Sequence, residues 1–221
     1  MSSTPCKLVV LLSGNGSNLQ AIIDRIEDSS LQATIAGVIS DRADAYGITR
    51  AQQHGIHTAI VMPAADEQRE TYDFRLQQEI DALQPDWIIL AGFMRILSDR
   101  LVNHYLGRMV NIHPSLLPKY KGLNTHQRVL DAGDVLHGAS VHFVTPDLDD
   151  GPVIMQSQLA VKPSESADDL KQRVHALEHR LFPHVIGLLC QQRVIYTDGM
   201  ISLDQTLINE PLSLNAQSNN S

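Results

Sequence analysis

Short apolar runs alternate with longer amphipathic stretches through the first half of the chain. A continuous apolar run is typical of a strand buried on both faces, and apolar residues spaced three and four apart are typical of a helix. Their alternation predicts a mostly parallel sheet that helices cover on both faces. The predicted strands cover 7–12, 34–40, 57–61, 87–91 and 109–113, and the predicted helices cover 19–27, 44–54, 67–83 and 99–104.

The pattern changes after Pro118. A helix is predicted over 125–132, and two β-rich runs follow it, HGASVHFV and PVIMQSQLAV, which the turn-forming TPDLDDG separates. These two runs are compatible with an antiparallel pair. A last helix over 168–190 has one continuous apolar face, and Ser166 with Asp169 resembles a capping box at its start.

We therefore predict a single domain of the α/β class over residues 1–221, with no linker and no internal repeat. The expected fold is Rossmann-like, with a mostly parallel twisted sheet, helices on both faces and an antiparallel C-terminal portion. The ends, at about 1–5 and 208–221, are expected to be flexible.

Composition limits the possible partners and compartments. The chain of 221 residues is 43% hydrophobic and carries a formal net charge of -8 without any basic run, which disfavours binding to nucleic acid. The run LVVLL is too short to span a membrane, and the first residues lack a signal-peptide pattern. The two cysteines match no metal or redox spacing and offer no disulfide framework. We predict a cytoplasmic protein without a nucleic-acid or membrane partner, and it remains open whether it is a monomer or a homodimer.

The segment LLSGNGSNL is the first that suggests chemistry. A buried strand enters a glycine turn and then a helix, whose first N–H groups suit a phosphate or a carboxylate. Gly14 and Gly16 allow close approach of the backbone to a ligand, and Ser17 or Asn18 can cap the helix and touch the ligand. The third glycine of the dinucleotide fingerprint is missing, so a nicotinamide cofactor gains little support. An ordinary turn with a helix cap remains the alternative.

Asn111 and His113 stand two positions apart near the end of a predicted strand, so their side chains are expected on the same side of it. In a parallel sheet, ligands bind at the carboxyl ends of the strands. An amide donor and an imidazole suit a carbonyl that becomes a tetrahedral oxyanion. In the structural alternative, His113 bonds to a loop carbonyl and Asn111 caps the strand.

Three acidic residues, Asp147, Asp149 and Asp150, stand in the turn after a later predicted strand. A carboxylate beside His113 would favour the imidazolium form and select its tautomer. The local alternative is that these residues bond to N–H groups within their own turn. The chain has no GxSxG motif and no evident activated Ser or Cys nucleophile, and direct transfer of a group to a substrate amine would need none.

Five segments resemble the phosphoribosylglycinamide formyltransferases, short single-domain folate-dependent enzymes of purine synthesis. They are LLSGNGSNLQAI, DWIILAGFMRILS, VNIHPSLLPKYKG, HGASVHFVTPDLDDGPVI and HALEH, in the same order from about Lys7 to beyond Met200. NIHPSLLP with a later LDxGP is highly specific to folate-dependent formyl transferases. The resemblance implies transfer of the formyl group of 10-formyltetrahydrofolate to the amine of glycinamide ribonucleotide, without a metal.

The resemblance also implies which residues act. Asn111, His113 and Asp149 match the catalytic residues. The loop that holds the substrate phosphate is matched by Gly16, Ser17 and Asn18, and Glu178 matches a residue that contacts the nucleotide. The residues matched on the folate side are Arg69, Met94, Arg95, Ile96, Leu97, Thr145, Pro146, Asp147 and Leu148.

Residue type alone leads to a different expectation for part of this folate set. Met94, Ile96 and Leu97, taken without the resemblance, are expected in the hydrophobic core. Three positions also depart from the usual motifs: Asp150 stands where a glycine is usual, Lys121 where a proline is, and Asn124 where a histidine is. These departures leave the geometry of the loops open.

Other functions fit parts of the sequence. Methionyl-tRNA formyltransferase and formyltetrahydrofolate deformylase share the formyl-handling motif, but each usually adds a domain for which we expect no room here. HALEH, at 175–179, matches the zinc-protease pattern H-x-x-E-H. Because the pattern is short and has two variable positions, the match is weak evidence for a metalloprotease. A non-catalytic nucleotide-binding module is compatible with the fold alone.

Overall fold

The computed structural model describes residues 5–214, and the chain divides into two compact units. The first unit contains the chain up to Asn111 together with Val144–Pro146, and the second contains Ile112–Phe143 and the chain from Asp147 onward. The single domain over 1–221 stays a prediction. Of the ends expected to be flexible, residues 1–4 and 215–221 lie outside the described residues, whereas 208–214 is described and includes a strand at Leu212–Ser213.

The first unit is a parallel sheet with helices between its strands, as the alternation of apolar runs predicted. Its strands are β1 (Cys6–Leu12), β2 (Ala33–Ser40), β3 (Thr58–Ile60), β4 (Trp87–Leu90) and β5 (Met109–His113), whose last two residues belong to the second unit. The order across the sheet is β5-β4-β1-β2-β3. The helices are α1 (Ser17–Glu27), α2 (Tyr46–Gln53), α3 (Arg69–Leu83) and α4 (Asp99–His104).

Burial explains why β1 forms the centre of this sheet. Its residues from Leu8 to Leu12 are all 0% exposed, as expected of a strand that is covered on both faces. The register places Leu11 opposite Leu90, and Leu90 opposite Asn111. The loops that follow β1 and β4 therefore leave the same edge of the sheet at which Asn111 stands, and ligands bind at such an edge.

The second unit contains the predicted antiparallel pair. Following α5 (Thr125–Ala132), strands β6 (Leu136–Phe143) and β7 (Val153–Ala160) pair in antiparallel register. The helix α6 (Ala167–Cys190) comes next, and its capping motif is confirmed. The Ser166 hydroxyl accepts the Asp169 N–H at 3.1 Å and donates to the Asp169 carboxylate at 2.6 Å.

A three-stranded antiparallel sheet follows α6, and the sequence prediction missed it. It consists of β8 (Val194–Thr197), β9 (Met200–Leu203) and β10 (Thr206–Ile208), and a short strand β11 (Leu212–Ser213) then pairs with β7. Asp198 and Gly199 join β8 to β9 with positive φ angles of 50 and 81. Because Asp-Gly is a favoured two-residue hairpin turn, this pair was a usable signal.

Two features bear on the compartment of the protein, namely membrane-spanning helices and the state of the cysteines. No helix within residues 5–214 is long and apolar enough to cross a membrane. Neither Cys6 nor Cys190 is a free thiol, because both are disulfide-bonded. The prediction that the cysteines offer no disulfide was therefore wrong, since pairing depends on tertiary structure and not on spacing. The cysteines no longer favour a reducing compartment.

The half-buried His126 and the buried His137 form an imidazole pair in the second unit. His126 Nδ1 lies 3.0 Å from His137 Nε2, and His137 is only 1% exposed. Burial is the main cause that lowers the pKa of each imidazole to about 4. Both rings are therefore neutral at pH 7.

Acid is expected to destabilise the fold through His137. In the unfolded chain a histidine binds its proton near pH 6.5, whereas the folded ring resists protonation down to about pH 4. The stabilisation is therefore complete above pH 6.5 and is lost as the pH falls towards 4. Between pH 7 and pH 5 the loss lowers the unfolding free energy by about 2 kcal/mol. Urea denaturation at both pH values should show that the unfolding free energy falls less between pH 7 and pH 5 in His137→Gln than in the wild type. The control His57→Gln, at an exposed position, should lose as much as the wild type.

Candidate active site

Two loops at the carboxyl edge of the first unit's sheet are bonded to each other. The Ser13 N–H donates to the Gly92 carbonyl at 3.0 Å, and the Met94 N–H donates to the Ser13 hydroxyl at 2.8 Å. These bonds join the glycine loop, residues 13–18, to the segment after β4. The predicted phosphate-binding residues and part of the predicted folate set therefore lie side by side.

The glycine loop leaves the start of α1 without a side-chain cap. Gly16 adopts a left-handed φ of 74, and a Cβ at that position would lie 2.6 Å from the Cα of Gly47. No larger residue fits there without movement of the backbone. Gly16 is itself the N-cap residue and no side chain caps the helix, so the prediction that Ser17 or Asn18 does so was wrong. The first N–H groups of α1 are thus left to water or to a ligand.

The segment after β4 divides into exposed and buried side chains. Met94 and Ile96 are 67% and 54% exposed, whereas Leu97 is 6% exposed and packs in the core. The expectation from residue type was therefore wrong for Met94 and Ile96 and right for Leu97. Arg95 stacks on the ring of Tyr72, its guanidinium carbon lying 4.2 Å from the ring centroid. An exposed apolar pair beside a held cation suits a ligand with both flat and anionic parts.

In the second unit, His113 contacts two oxygen acceptors. Its Nδ1 lies 3.3 Å from Asp149 Oδ2, and its Nε2 lies 2.9 Å from the carbonyl oxygen of Tyr120. The expected carboxylate and the loop carbonyl of the structural alternative are therefore both present. A neutral imidazole has one N–H and can donate to only one of these two acceptors, whereas an imidazolium can donate to both.

The Asp149 carboxylate is held from two directions. Its Oδ2 also accepts the Gly122 N–H at 2.9 Å, and its Oδ1 lies 3.7 Å from His142 Nε2. The side chain is only 9% exposed. The backbone φ of Asp149 is 48, a left-handed value that aspartate adopts more readily than most residues. These contacts fix the carboxylate beside His113.

His142 was missed by the sequence analysis. Its Nδ1 lies 2.9 Å from the Phe143 carbonyl oxygen, and burial is the main cause that lowers its pKa. A neutral ring that donates from Nδ1 has no proton on Nε2 to offer Asp149. Of these two imidazoles, His113 is therefore the one that can donate a hydrogen bond to Asp149. A histidine inside the apolar run SVHFV, just before the acidic turn, was the available signal.

One protein-family model matches most of the chain. The model of the formyl transferase family matches residues 6–186. The chain belongs to the formyl transferase family.

Members of the family resemble this chain over most of its length. Phosphoribosylglycinamide formyltransferase of Escherichia coli is 50% identical over 197 residues, which are 89% of this chain and 93% of that protein. The enzyme of the same name from Haemophilus influenzae is 39% identical over 90% of this chain and 93% of that protein. The solved phosphoribosylglycinamide formyltransferase of Coxiella burnetii, in complex with CHES, is 48% identical with a TM-score of 0.91 over 96% of this chain and 100% of that chain. The Rossmann-like α/β prediction is thereby confirmed.

Two of the three departures from the usual family motifs contact each other. Lys121 Nζ forms an ion pair with Asp150 Oδ1 next to the bond between Gly122 and Asp149. The two side chains are 37% and 52% exposed, and such surface pairs contribute about 1 kcal/mol or less. The pair therefore contributes little to the stability of the loop, and Asp149 is held by its own contacts. Asn124, the third departure, takes a left-handed φ of 57 just before α5.

The remaining predicted residues are distributed over both units. Leu148 is 53% exposed and Glu178 is 4% exposed, both in the second unit. The rings of His175 and His179 stack with centroids 6.2 Å apart. Within the part of the chain that the structure describes, no three His, Cys, Asp or Glu side chains are grouped so as to hold a metal ion.

Proposed function

We propose that this enzyme transfers the formyl group of 10-formyltetrahydrofolate to the amine of glycinamide ribonucleotide in purine biosynthesis. The observation that carries the proposal is the position of the His113 ring between the Asp149 carboxylate and the Tyr120 carbonyl. The chain that contains it is 50% identical to the phosphoribosylglycinamide formyltransferase of Escherichia coli. A buried imidazole that a carboxylate holds in place is suited to stabilising an oxyanion.

The reaction begins when the substrate amine attacks the formyl carbon. A new C–N bond forms while negative charge gathers on the formyl oxygen, and the Asn111 amide and the His113 imidazolium donate to it. Because Nδ1 of His113 faces Asp149, Nε2 is the nitrogen left for the substrate, and we expect the Tyr120 carbonyl to give way. The bond to N10 of the folate then breaks, and the proton lost by the amine ends on that nitrogen.

The binding roles follow the same proposal. The uncapped start of α1, with Gly16, Ser17 and Asn18, holds the phosphate of the ribonucleotide, and Glu178 contacts the rest of that substrate. The folate lies against the exposed apolar side chains after β4, and Arg95 and Arg69 receive its carboxylates. The turn 145–148 completes the folate side. The absence of a metal, the cytoplasmic location and the state of monomer or homodimer stay predictions.

A spectrophotometric assay with purified protein and both substrates tests the function. We expect product only when glycinamide ribonucleotide and 10-formyltetrahydrofolate are both present. Formate release without the ribonucleotide would indicate a deformylase, and transfer to methionyl-tRNA would indicate the other rival. Binding of the ribonucleotide without any transfer would reduce the protein to a binding module. Loss of activity with a chelator would revive the metal alternative.

A further inference from the structure

Arg50 contacts the glycine loop from α2, and none of the roles above includes it. Its Nε donates to the Asn15 carbonyl at 3.0 Å and one terminal nitrogen donates to the Asn15 side-chain oxygen at 3.2 Å. The other terminal nitrogen donates to Gln20 Oε1 at 3.2 Å, on the first turns of α1. One guanidinium thus joins the loop before the helix to the helix itself.

The start of α2 packs against the same loop. The Gly47 N–H donates to the Gly14 carbonyl at 3.0 Å. The Arg50 Cδ lies 3.5 Å from the position that a Cβ at Gly16 would occupy, so the aliphatic part of Arg50 covers that glycine. Tyr46 lies under the guanidinium, whose carbon is 4.8 Å from the ring centroid. Arg50 is therefore held from its stem to its charged end.

The far side of this contact is also fixed. Gln20 donates from its amide nitrogen to Asp24 at 2.8 Å, so its oxygen stays turned to Arg50. That amide nitrogen also lies 3.3 Å from Nε2 of His54. The guanidinium of Arg50 therefore donates to a Gln20 oxygen whose orientation is fixed.

We propose that Arg50 is a positioning residue for the phosphate site at the start of α1. An acceptor oxygen that faces a phosphate repels it, and Arg50 binds both oxygens of Asn15. The loop thereby keeps its N–H groups for the ligand, and the guanidinium adds a positive charge behind them. Arg50 acts through the loop and does not touch the substrate. The inference rests on the proposed function, because that function supplies the phosphate.

The test compares Arg50→Met, which keeps the aliphatic stem, with Arg50→Lys, which keeps the charge but not the fork. Steady-state kinetics should show KM for glycinamide ribonucleotide raised about tenfold in Arg50→Met, with kcat within about twofold. KM for the folate should be unchanged. Competitive inhibition by inorganic phosphate should weaken about as much as the ribonucleotide KM rises. In Arg50→Lys the KM for glycinamide ribonucleotide should remain at least about fivefold above the wild-type value, because one ammonium cannot hold both Asn15 oxygens and Gln20.

Arg42→Met is the matched control, because Arg42 precedes the same helix but pairs only with exposed Asp44, at 2.8 Å. It should keep both KM values. A wild-type ribonucleotide KM in Arg50→Met, or full recovery in Arg50→Lys, would overturn the inference, as would equal losses in kcat and both KM values. An inactive wild type would instead overturn the proposed function. Calorimetric binding of inorganic phosphate to the wild type and Arg50→Met would then still decide the role of Arg50, since unchanged phosphate binding would overturn it.

Discussion

Asp149→Asn is expected to lower kcat about a thousandfold, within the range of roughly 10²–10⁴ that a positioned acid–base group contributes. The amide keeps the size of the carboxylate but not its charge, so the His113 imidazolium loses the anion 3.3 Å from its Nδ1. The amide can also turn its NH2 group towards His113, and Nδ1 of the ring then loses its hydrogen-bond acceptor. The ring is left less firmly oriented.

Single-turnover and steady-state kinetics at pH 7.5 check this expectation. Asp150→Asn is the matched control, because Asp150 is adjacent, is about half exposed and pairs with Lys121. We expect that control to keep kcat within about threefold, since a surface pair is worth about 1 kcal/mol or less. Near wild-type turnover in Asp149→Asn would remove Asp149 from the mechanism. Equal losses in both variants would point to the turn as a whole.

Asn111→Ala is expected to lower kcat by roughly 100- to 1000-fold, equivalent to about 2.7–4 kcal/mol of transition-state stabilisation. The reason is that its amide donates to the formyl oxygen only once charge has gathered there, so the loss falls on kcat more than on KM. Asn111 stands opposite Leu90 at the carboxyl edge of the sheet, where such a donor is held by the strand.

The control for Asn111 is Asn103→Ala, a change of the same kind at an exposed position of α4. It should leave kcat unaltered. The double variant with Asp149→Asn adds a sharper check, because groups that stabilise one oxyanion lose less together than the product of their separate losses. A fully multiplicative loss would mean that the two residues act on separate steps.

Much of the first unit followed from local periodicity. Strand β5 and helix α4 have the predicted bounds, and the other predicted strands and helices of this unit differ by a few residues at their ends. Most helices and strands there are long enough to show their period, and the short strands β3 and β4 are marked by the longer helical patterns on either side of them. By contrast, β8, β9 and β10 are three or four residues long, which is too short for a period to stand out.

The position of Met94 and Ile96 shows where residue type misleads. All three apolar side chains of the segment were expected inside, yet only Leu97 reaches the core. Hydrophobicity predicts burial when a second layer covers the residue, and a loop beyond the end of a strand has no such layer. An apolar side chain can then face a ligand instead.

The order of the motifs along the chain was enough to place Asn111, His113 and the glycine loop at the carboxyl ends of their strands, because strand direction and period are local properties. The partners of those groups are another matter. Asp149, the carboxylate beside His113, accepts an N–H from a residue 27 positions earlier, and Arg50 bonds to a loop 35 positions earlier. Which oxygens face a given nitrogen depends on how loops far apart in the chain fold against each other, and that was decided only by the tertiary structure.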